Sequence, residues 1–221
     1  AYKVIFKNPT SILQAYKMTI YYTVVGTVVG LFMTTMTAYV VSRKEFKYRN
    51  IVTFMMYFTT IFGGGMIPWY LLYANVLNLK GTAFVIWFPG ITSSFLVILM
   101  RTFIQSSVPD AIAESAKIDG AGHFQIMAKI VFPMAVPGMI SIAIYGFVWS
   151  WNDLLYSMTL VTDTAKRTLA SGLVMTFLGE ASTNWGYMMA ASIVSAIPVT
   201  VIFVFLQRYF IQGLTAGAVK G

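Results

Sequence analysis

The chain has 221 residues, of which 58% are hydrophobic and only 10% are charged, and its mean hydropathy is +0.75. Soluble domains carry about a quarter charged residues, so this composition excludes a soluble globular protein and indicates a membrane protein. The net charge of +8 does not indicate nucleic-acid binding, since the basic residues cluster beside apolar stretches. The chain has no cysteine, which excludes disulfides and thiolate metal sites.

Long stretches with few charges predict an all-α polytopic transmembrane helix bundle, formed as one domain over residues 1–221. About 20 apolar residues cross the hydrocarbon core as a helix, and backbone groups in lipid must be hydrogen-bonded within the segment. The predicted spans are residues 17–42, 51–74, 81–105, 134–161 and 186–210.

The loop after the first span sets the predicted orientation, because it contains Arg43, Lys44, Lys47 and Arg49. The positive-inside rule places this loop in the cytoplasm. Alternation then places a second loop (106–133) and a C-terminal tail (212–221) in the cytoplasm. It also leaves the N-terminal stretch outside, so we expect a sixth span upstream that this sequence does not contain.

Three consecutive glycines, Gly63, Gly64 and Gly65, interrupt the second predicted span. Each glycine costs a helix about 1 kcal/mol relative to alanine, so we expect a break there. A break within the membrane is tolerated where it lines a cavity or packs against protein. The glycines, with Tyr70 nearby, therefore indicate either a gate in a substrate pathway or close helix packing.

The loop 106–133 has the pattern of a short helix followed by a second one. Pro109 suits a helix start because its missing N–H would be unpaired there, and Gly120 can adopt the left-handed conformation that ends a helix. A second helix is predicted at about 122–131, and Pro133 is expected to stop it before the next span.

A polar and aromatic group lies far along the fourth predicted span: Trp149, Trp151, Asn152 and Asp153. An ionisable residue in a span suggests function, and aromatic faces with amide or carboxylate groups suit a sugar pathway. The same residues also fit an interfacial aromatic belt with Asp153 at the outer boundary. Both interpretations stay open.

The loop resembles the EAA loop of permease subunits in bacterial ATP-binding cassette (ABC) importers. That pattern is Glu-Ala-Ala, three residues, Gly, about nine residues, then Ile-x-Leu-Pro. Ser115 replaces the usual Ala and Phe132 the usual Leu. The resemblance assigns an ATPase-coupling role to Glu114, Ser115, Ala116, Asp119, Gly120, Ala121, Ile130 and Pro133.

Two other segments resemble the carbohydrate branch of these importers. Residues 213–221 are similar to the C-terminus of the maltose-type second permease. Residues 62–68 look like an oligosaccharide-type subgroup, some members of which handle uronate-containing saccharides. The resemblance therefore implies import of oligosaccharides. The candidate pathway residues, taken from their own chemistry, are Gly63–Gly65, Tyr70, Trp149 and Trp151–Asp153.

In that family the loop forms a coupling helix seated on a cytoplasmic ATPase. The resemblance implies a location in the bacterial inner membrane, contact with lipid and a second homologous permease. It also implies two ATPase subunits, which bind the ATP and Mg²⁺, and an extracytoplasmic solute-binding protein. We expect no cofactor, metal or nucleic acid on this chain.

No catalytic constellation is visible: the sequence lacks a Walker A motif, an HExxH motif and a Ser/His/Asp set, and His123 is its only histidine. We therefore expect a non-catalytic subunit. The alternatives are an importer permease for another small solute, an ATP-independent channel or scaffold, and an intramembrane enzyme.

Overall fold

The computed structural model describes residues 9–177 and 185–218, and its regular elements there are helices. They are α1 (Pro9–Ser42), α2 (Arg49–Ile61), α3 (Met66–Leu71), α4 (Phe84–Trp87), α5 (Ser94–Ser107), α6 (Asp110–Ile118), α7 (His123–Ile126), α8 (Phe132–Trp151), α9 (Leu155–Leu160), α10 (Leu169–Phe177) and α11 (Trp185–Ala218). The predicted all-α fold is thus confirmed. Of the tail predicted at 212–221, residues 212–218 belong to α11, and residues 219–221 lie outside the described range.

Within the described residues, three helical segments are long and apolar enough to cross a membrane: Ile12–Ser42, His123–Trp151 and Met188–Phe205. Two bent pairs, α2 with Met66–Val76 and α5 with α6, raise the number to five if each counts as one span. The predicted number of five spans fits this range.

The second and third predicted spans are less regular than expected. The helix in 51–74 is broken at the glycines, and the axes on either side differ by 114°. The prediction of one helix over 81–105 is wrong, because α4 ends at Trp87 and α5 begins only at Ser94. Pro89 accounts for the gap, since it lacks an N–H and restricts the residue before it.

Pro133 does not stop a helix, and that prediction is wrong. α7 continues through a π-helical turn, Met127–Val131, directly into α8. A proline inside a helix clashes with the carbonyl four residues earlier, here that of Lys129. The wider π turn lies at that position and accommodates the clash.

The fourth predicted span, 134–161, ends earlier than expected, at Trp151. Residues 152–154 leave the helix, and α9 starts separately. The side chain of Asp153 accepts hydrogen bonds from the backbone N–H groups of Tyr156, at 3.2 Å, and Ser157, at 3.0 Å. These bonds begin a new helix in place of continuing α8.

The chain forms two compact units. Unit 1 comprises residues 1–27, 64–90 and 146–205. Its apolar core includes Tyr22, Val85, Ile86 and Leu160. Five buried hydroxyl residues also lie in its interior, each no more than 1% exposed: Thr19, Thr23, Ser157, Thr168 and Ser171.

Unit 2 comprises residues 28–63, 91–145 and 206–221. A single apolar cluster joins the C-terminal half of α1 to α5, α6, α7 and α8, and its most buried members are Ala38, Val97, Met100, Val131 and Ala135. The loop predicted to couple to an ATPase therefore begins from this core.

Candidate functional site

α6 forms where the sequence predicts a short helix in the loop 106–133. Pro109 precedes it in an extended conformation (φ −59°, ψ 135°), and Asp110 and Lys117 lie in its first and last turns. An acidic residue at the start and a basic one at the end both complement the helix dipole.

Gly120 ends α6 in the left-handed conformation that the sequence predicts, with φ +84°. The N–H of Gly120 bonds to the carbonyl of Lys117 at 3.0 Å, and the N–H of Ala121 bonds to that of Ala116 at 2.9 Å. This pair of bonds is a Schellman motif, which satisfies carbonyls left open at a helix end.

α6 has one buried face and one exposed face. Ala113 is 4% exposed, whereas Ile118 is 88% exposed. Of the eight residues assigned to coupling by resemblance, Glu114, Ser115, Asp119 and Gly120 are exposed, and Ala116, Ala121 and Ile130 pack against the core of unit 2. The eighth, Pro133, is exposed on α8.

Two ion pairs join α6 to the loop between α1 and α2. Lys44 Nζ lies 2.7 Å from Asp110 Oδ2, and Lys117 Nζ donates to both carboxylate oxygens of Glu45. Lys44 holds the pKa of the Asp110 carboxyl below its usual range, and Lys117 does the same for the pKa of Glu45. Lys117 also lies three residues after Glu114, but its partner is on another segment.

Lys44, Glu45, Asp110 and Lys117 were not among the residues predicted for the site. The available signal was an adjacent Lys-Glu pair in the loop after the first span and an Asp and a Lys at the two ends of a short helix in the loop 106–133. Opposite charges in neighbouring loops suggest a contact, but only the fold brings these four side chains together.

The Gly63–Gly65 segment separates α2 from α3 as an exposed break. Gly65 has φ +82°, and no heavy atom lies within 4 Å of a Cβ built on Gly63 or Gly65. Among the described residues, no neighbouring atoms pack closely enough on Gly63 or Gly65 to explain the break. Tyr70, on α3, is half-buried, and its hydroxyl lies 3.2 Å from Lys80 Nζ.

The four residues predicted at the end of α8 differ in their surroundings. Trp151 is buried; its indole N–H donates to the carbonyl of Ser195 at 3.2 Å, and its ring stacks on Phe147. Trp149 is 58% exposed. Asn152 is exposed too, and its amide donates to the carbonyl of Val148. Trp149 and Asn152 are thus the members of this group whose side chains are exposed.

Asp153 belongs to a polar network in unit 1. Its carboxylate caps the start of α9, and its carbonyl accepts a hydrogen bond from Thr168 Oγ1 at 2.8 Å. The hydroxyls of Ser157 and Ser171 lie 2.6 Å apart, and the N–H of Thr168 donates to Ser157 Oγ. Both carboxylate oxygens of Asp153 therefore have partners inside the protein.

Residues 26–216 match the family described as the inner membrane component of binding-protein-dependent transport systems. The chain belongs to this family. Its members are permease subunits, so the predictions of a non-catalytic subunit and of a multi-pass inner membrane protein are confirmed.

Relatives support the same assignment. YtcP of Bacillus subtilis (strain 168), a polygalacturonan/rhamnogalacturonan transport system permease protein, is 31% identical over 235 residues, which cover 100% of this chain and 81% of YtcP. MalG of Thermococcus litoralis, a trehalose/maltose transport system permease protein, is 30% identical over 222 residues, which cover 98% of this chain and 79% of MalG.

A solved structure has the same fold. It is the crystal structure of a bacterial ABC transporter involved in the import of the acidic polysaccharide alginate. One of its chains matches with a TM-score of 0.80 at 28% identity, over 91% of this chain and 76% of that one. The predicted resemblance to permeases of carbohydrate ABC importers is confirmed by the family and these relatives.

Proposed function

We propose that this chain is a membrane subunit of an ATP-driven importer of oligosaccharides, including uronate-containing ones. The substrate class is supported by YtcP, named for polygalacturonan and rhamnogalacturonan, and by the likeness to the alginate importer. A second homologous permease would complete the pathway, and an extracytoplasmic binding protein would deliver the saccharide.

The main structural support for this proposal is the exposed face of α6. Ile118 is 88% exposed, and Phe124, just beyond the Gly120 turn, is 73% exposed. Both lie in the loop predicted to be cytoplasmic, where no lipid covers them. Exposed large apolar residues in water mark contacts with partner proteins, and Glu114 and Asp119 add polar groups to the same helix. A cytoplasmic ATPase subunit is the partner that this surface fits.

In the proposed mechanism, ATP and Mg²⁺ bind to the partner ATPases, and this chain receives the resulting displacement through α6. Helices a few turns long move as rigid pieces, and α7 runs through the π turn into α8 as one helical segment of 29 residues, His123–Trp151. A shift of α6 would therefore reach a membrane span after only one short turn. Trp149 and Asn152 would contribute to the saccharide pathway at the far end of that span.

The deciding experiment is ATPase activity of the complete complex in nanodiscs, with its binding protein and a panel of saccharides. The panel sets oligogalacturonates and alginate oligomers against neutral maltooligosaccharides. We expect stimulation by the uronate-containing group. Stimulation by neutral sugars only, or by a small solute that is not a sugar, would reassign the substrate. A complex without any associated ATPase would favour a channel or scaffold.

Gly120 and Gly122 offer a matched pair of variants for the coupling role. Neither has an atom within 4 Å of a built Cβ, but Gly120 has φ +84° and Gly122 has φ −71°. Alanine at Gly120 is strained because left-handed backbone disfavours side chains. We expect Gly120→Ala to lower stimulated ATPase activity and uptake while the complex still assembles. Gly122→Ala should behave as wild type, and equal effects of the two would count against coupling through this turn.

A further inference from the structure

Residues 43–48, between α1 and α2, form a compact loop that we call the clamp loop. Successive turns stiffen it: the N–H of Arg43 bonds to the carbonyl of Val40, that of Phe46 to Arg43, and that of Arg49 to Phe46, at 3.1–3.3 Å. The side chain of Phe46 packs against the apolar core of unit 2. The clamp loop is therefore a firm support at the end of α1.

The clamp loop holds α6 at both ends. Lys44 binds Asp110, the first residue of α6, and Glu45 binds Lys117, its next-to-last residue. These two attachment points are about 10 Å apart along the helix axis. Two points of attachment fix the direction of a helix, whereas one would leave it free to pivot.

The order of the charges selects one arrangement. The clamp loop presents a cation and then an anion, and α6 presents an anion at its start and a cation near its end. Reversing α6 against the loop would place Lys44 near Lys117 and Glu45 near Asp110, and like charges repel. The ion pairs therefore specify the orientation of α6.

A buried contact lies between the two ion pairs. Ala113 (4% exposed), Tyr39 (6%) and Ile126 (1%) share a pocket with the clamp residues. Tyr39 also donates a hydrogen bond to the carbonyl of His123 at 3.4 Å, and the Arg43 guanidinium lies 4.8 Å from the centre of the Tyr39 ring. The end of α1, α6 and the start of α7 thus meet in one packed group.

The covalent connection of α6 to α5 is less rigid than this side contact. Val108 and Pro109 are extended there, and the axis bends by 73°. Such a joint bends more easily than a continuous helix. Displacement of α6 is therefore better transmitted through a lateral contact than along the chain towards α5.

We propose that the clamp loop is a mechanical linkage that carries displacement of α6 into α1 through the Lys44–Asp110 and Glu45–Lys117 pairs. This inference rests on the proposed coupling role of α6. It assigns positioning roles to four residues and adds α1 to the spans that respond to the ATPases. Since ion pairs this exposed add little to folding stability, the linkage acts on orientation and not on assembly.

Charge reversal with rescue tests the linkage in the complete complex with its ATPases and binding protein in nanodiscs. Glu45→Lys and Lys117→Glu alone should each lower saccharide-stimulated ATPase activity and uptake by about fivefold or more, the scale of a coupling energy. The double variant E45K/K117E should recover most of the loss, because the pair is restored with reversed sign. Lys47→Glu is the control: this exposed residue lies in the same loop, and its Nζ lies 6.0 Å from the centre of the Tyr48 ring.

The double variant also separates the clamp from docking. If Lys117 acted only by touching the ATPase, Glu45→Lys would have no effect and the double variant would stay impaired; either result overturns the proposal. If the wild-type complex assembles and saccharide stimulates its ATPase activity, the proposed function holds even where the charge-reversal variants reject the clamp. Loss of stimulation in the wild-type complex would instead reject the proposed function itself.

Cross-linking gives a second measurement, because the chain contains no cysteine. Cysteines introduced by Lys44→Cys and Asp110→Cys, bridged by a short bifunctional thiol reagent, should leave uptake intact, since loop and helix move together. The linkage would be overturned if bridging stopped uptake while the reagent had no effect on either single-cysteine variant. That result would show that the clamp loop and α6 must separate during transport.

Discussion

The two compact units use their buried hydroxyl groups differently. In unit 1 the hydroxyls of Thr19, Ser157 and Ser171 bond between segments and tie α1 to α9 and α10. In unit 2 the buried hydroxyls of Thr35 and Ser42 bond to carbonyls of their own helix, α1, and the clamp pairs lie at the surface. Buried polar bonds are costly to break, whereas exposed ion pairs add little to stability. Variants in the network of unit 1 should therefore change stability, and variants in the clamp pairs of unit 2 should change the orientation of α6.

The largest effect should come from the interior of unit 2, where α8 passes close to α5. A Cβ built on Gly138 would lie 2.5 Å from the ring of Phe103. Gly138→Val should force the helices apart and lower the free energy of unfolding by up to about 3 kcal/mol. Thermal unfolding of the purified complex measures this loss.

Gly146, on the same helix, provides the control, because no heavy atom lies within 4 Å of its built Cβ. Gly146→Val carries the same change in helix propensity without the clash. If both variants lost equal stability, the contact between Gly138 and Phe103 would not be what packs the interior of unit 2.

The polar network of unit 1 should respond next. Thr168 is fully buried and its hydroxyl donates to the carbonyl of Asp153 at 2.8 Å. Thr168→Val keeps the shape but leaves that carbonyl unpaired, which should cost about 1–3 kcal/mol. Thr159→Val is matched to it, since the Thr159 hydroxyl donates only to Leu155 within its own helix. That variant should change the stability by less than about 0.5 kcal/mol; similar losses in both would mean that the buried network of unit 1 adds no more stability than a hydroxyl bonded within its own helix.

The features that could be predicted from the sequence are those set by the backbone conformation of a single residue. The start of α6, its glycine end and the break at Gly63–Gly65 were predictable because Pro and Gly act through their own backbone conformations. The pairing of Lys44 and Glu45 with α6 was not predictable, since it depends on segments distant in sequence. The gap between α4 and α5 and the π turn before Pro133 have local causes in the prolines, but a proline alone does not tell whether a helix ends or widens. The aromatic and polar residues near Trp151 were found as a group, but only the fold shows which of them point inward.

Asp153 distinguishes a framework residue from a substrate ligand. Its carboxylate accepts two backbone N–H groups at the start of α9. Asp153→Ala should therefore lower the free energy of unfolding by about 1 kcal/mol, as the loss of a helix cap does. Trp149→Ala, at an exposed neighbour, should leave the thermal midpoint unchanged and affect the saccharide concentration needed for half-maximal uptake. The opposite pattern would make Asp153 the residue that meets the saccharide.

The smallest effect concerns pH and the clamp. In the clamp, Lys44 lowers the pKa of the Asp110 carboxyl, and Lys117 lowers the pKa of the Glu45 carboxyl. Asp110 raises the pKa of Lys44. A lowered carboxyl pKa means that the pairs are lost only as pH falls below the usual carboxyl range. A raised lysine pKa means that they are lost only as pH rises above the usual lysine range.

Between about pH 5.5 and 9, all three groups therefore keep their charges, and the clamp should work equally well throughout. We expect the ratio of stimulated ATPase activity in wild type to that in Lys44→Met to stay constant over this window. His123 and Arg43 also face Glu45, so the series is repeated in His123→Gln to remove the imidazole. A ratio that falls towards one by pH 5.5 in both backgrounds would mean that the carboxylates lose their charge there. The surface pairs of unit 2 would then be a pH-sensitive contact and not a constant one.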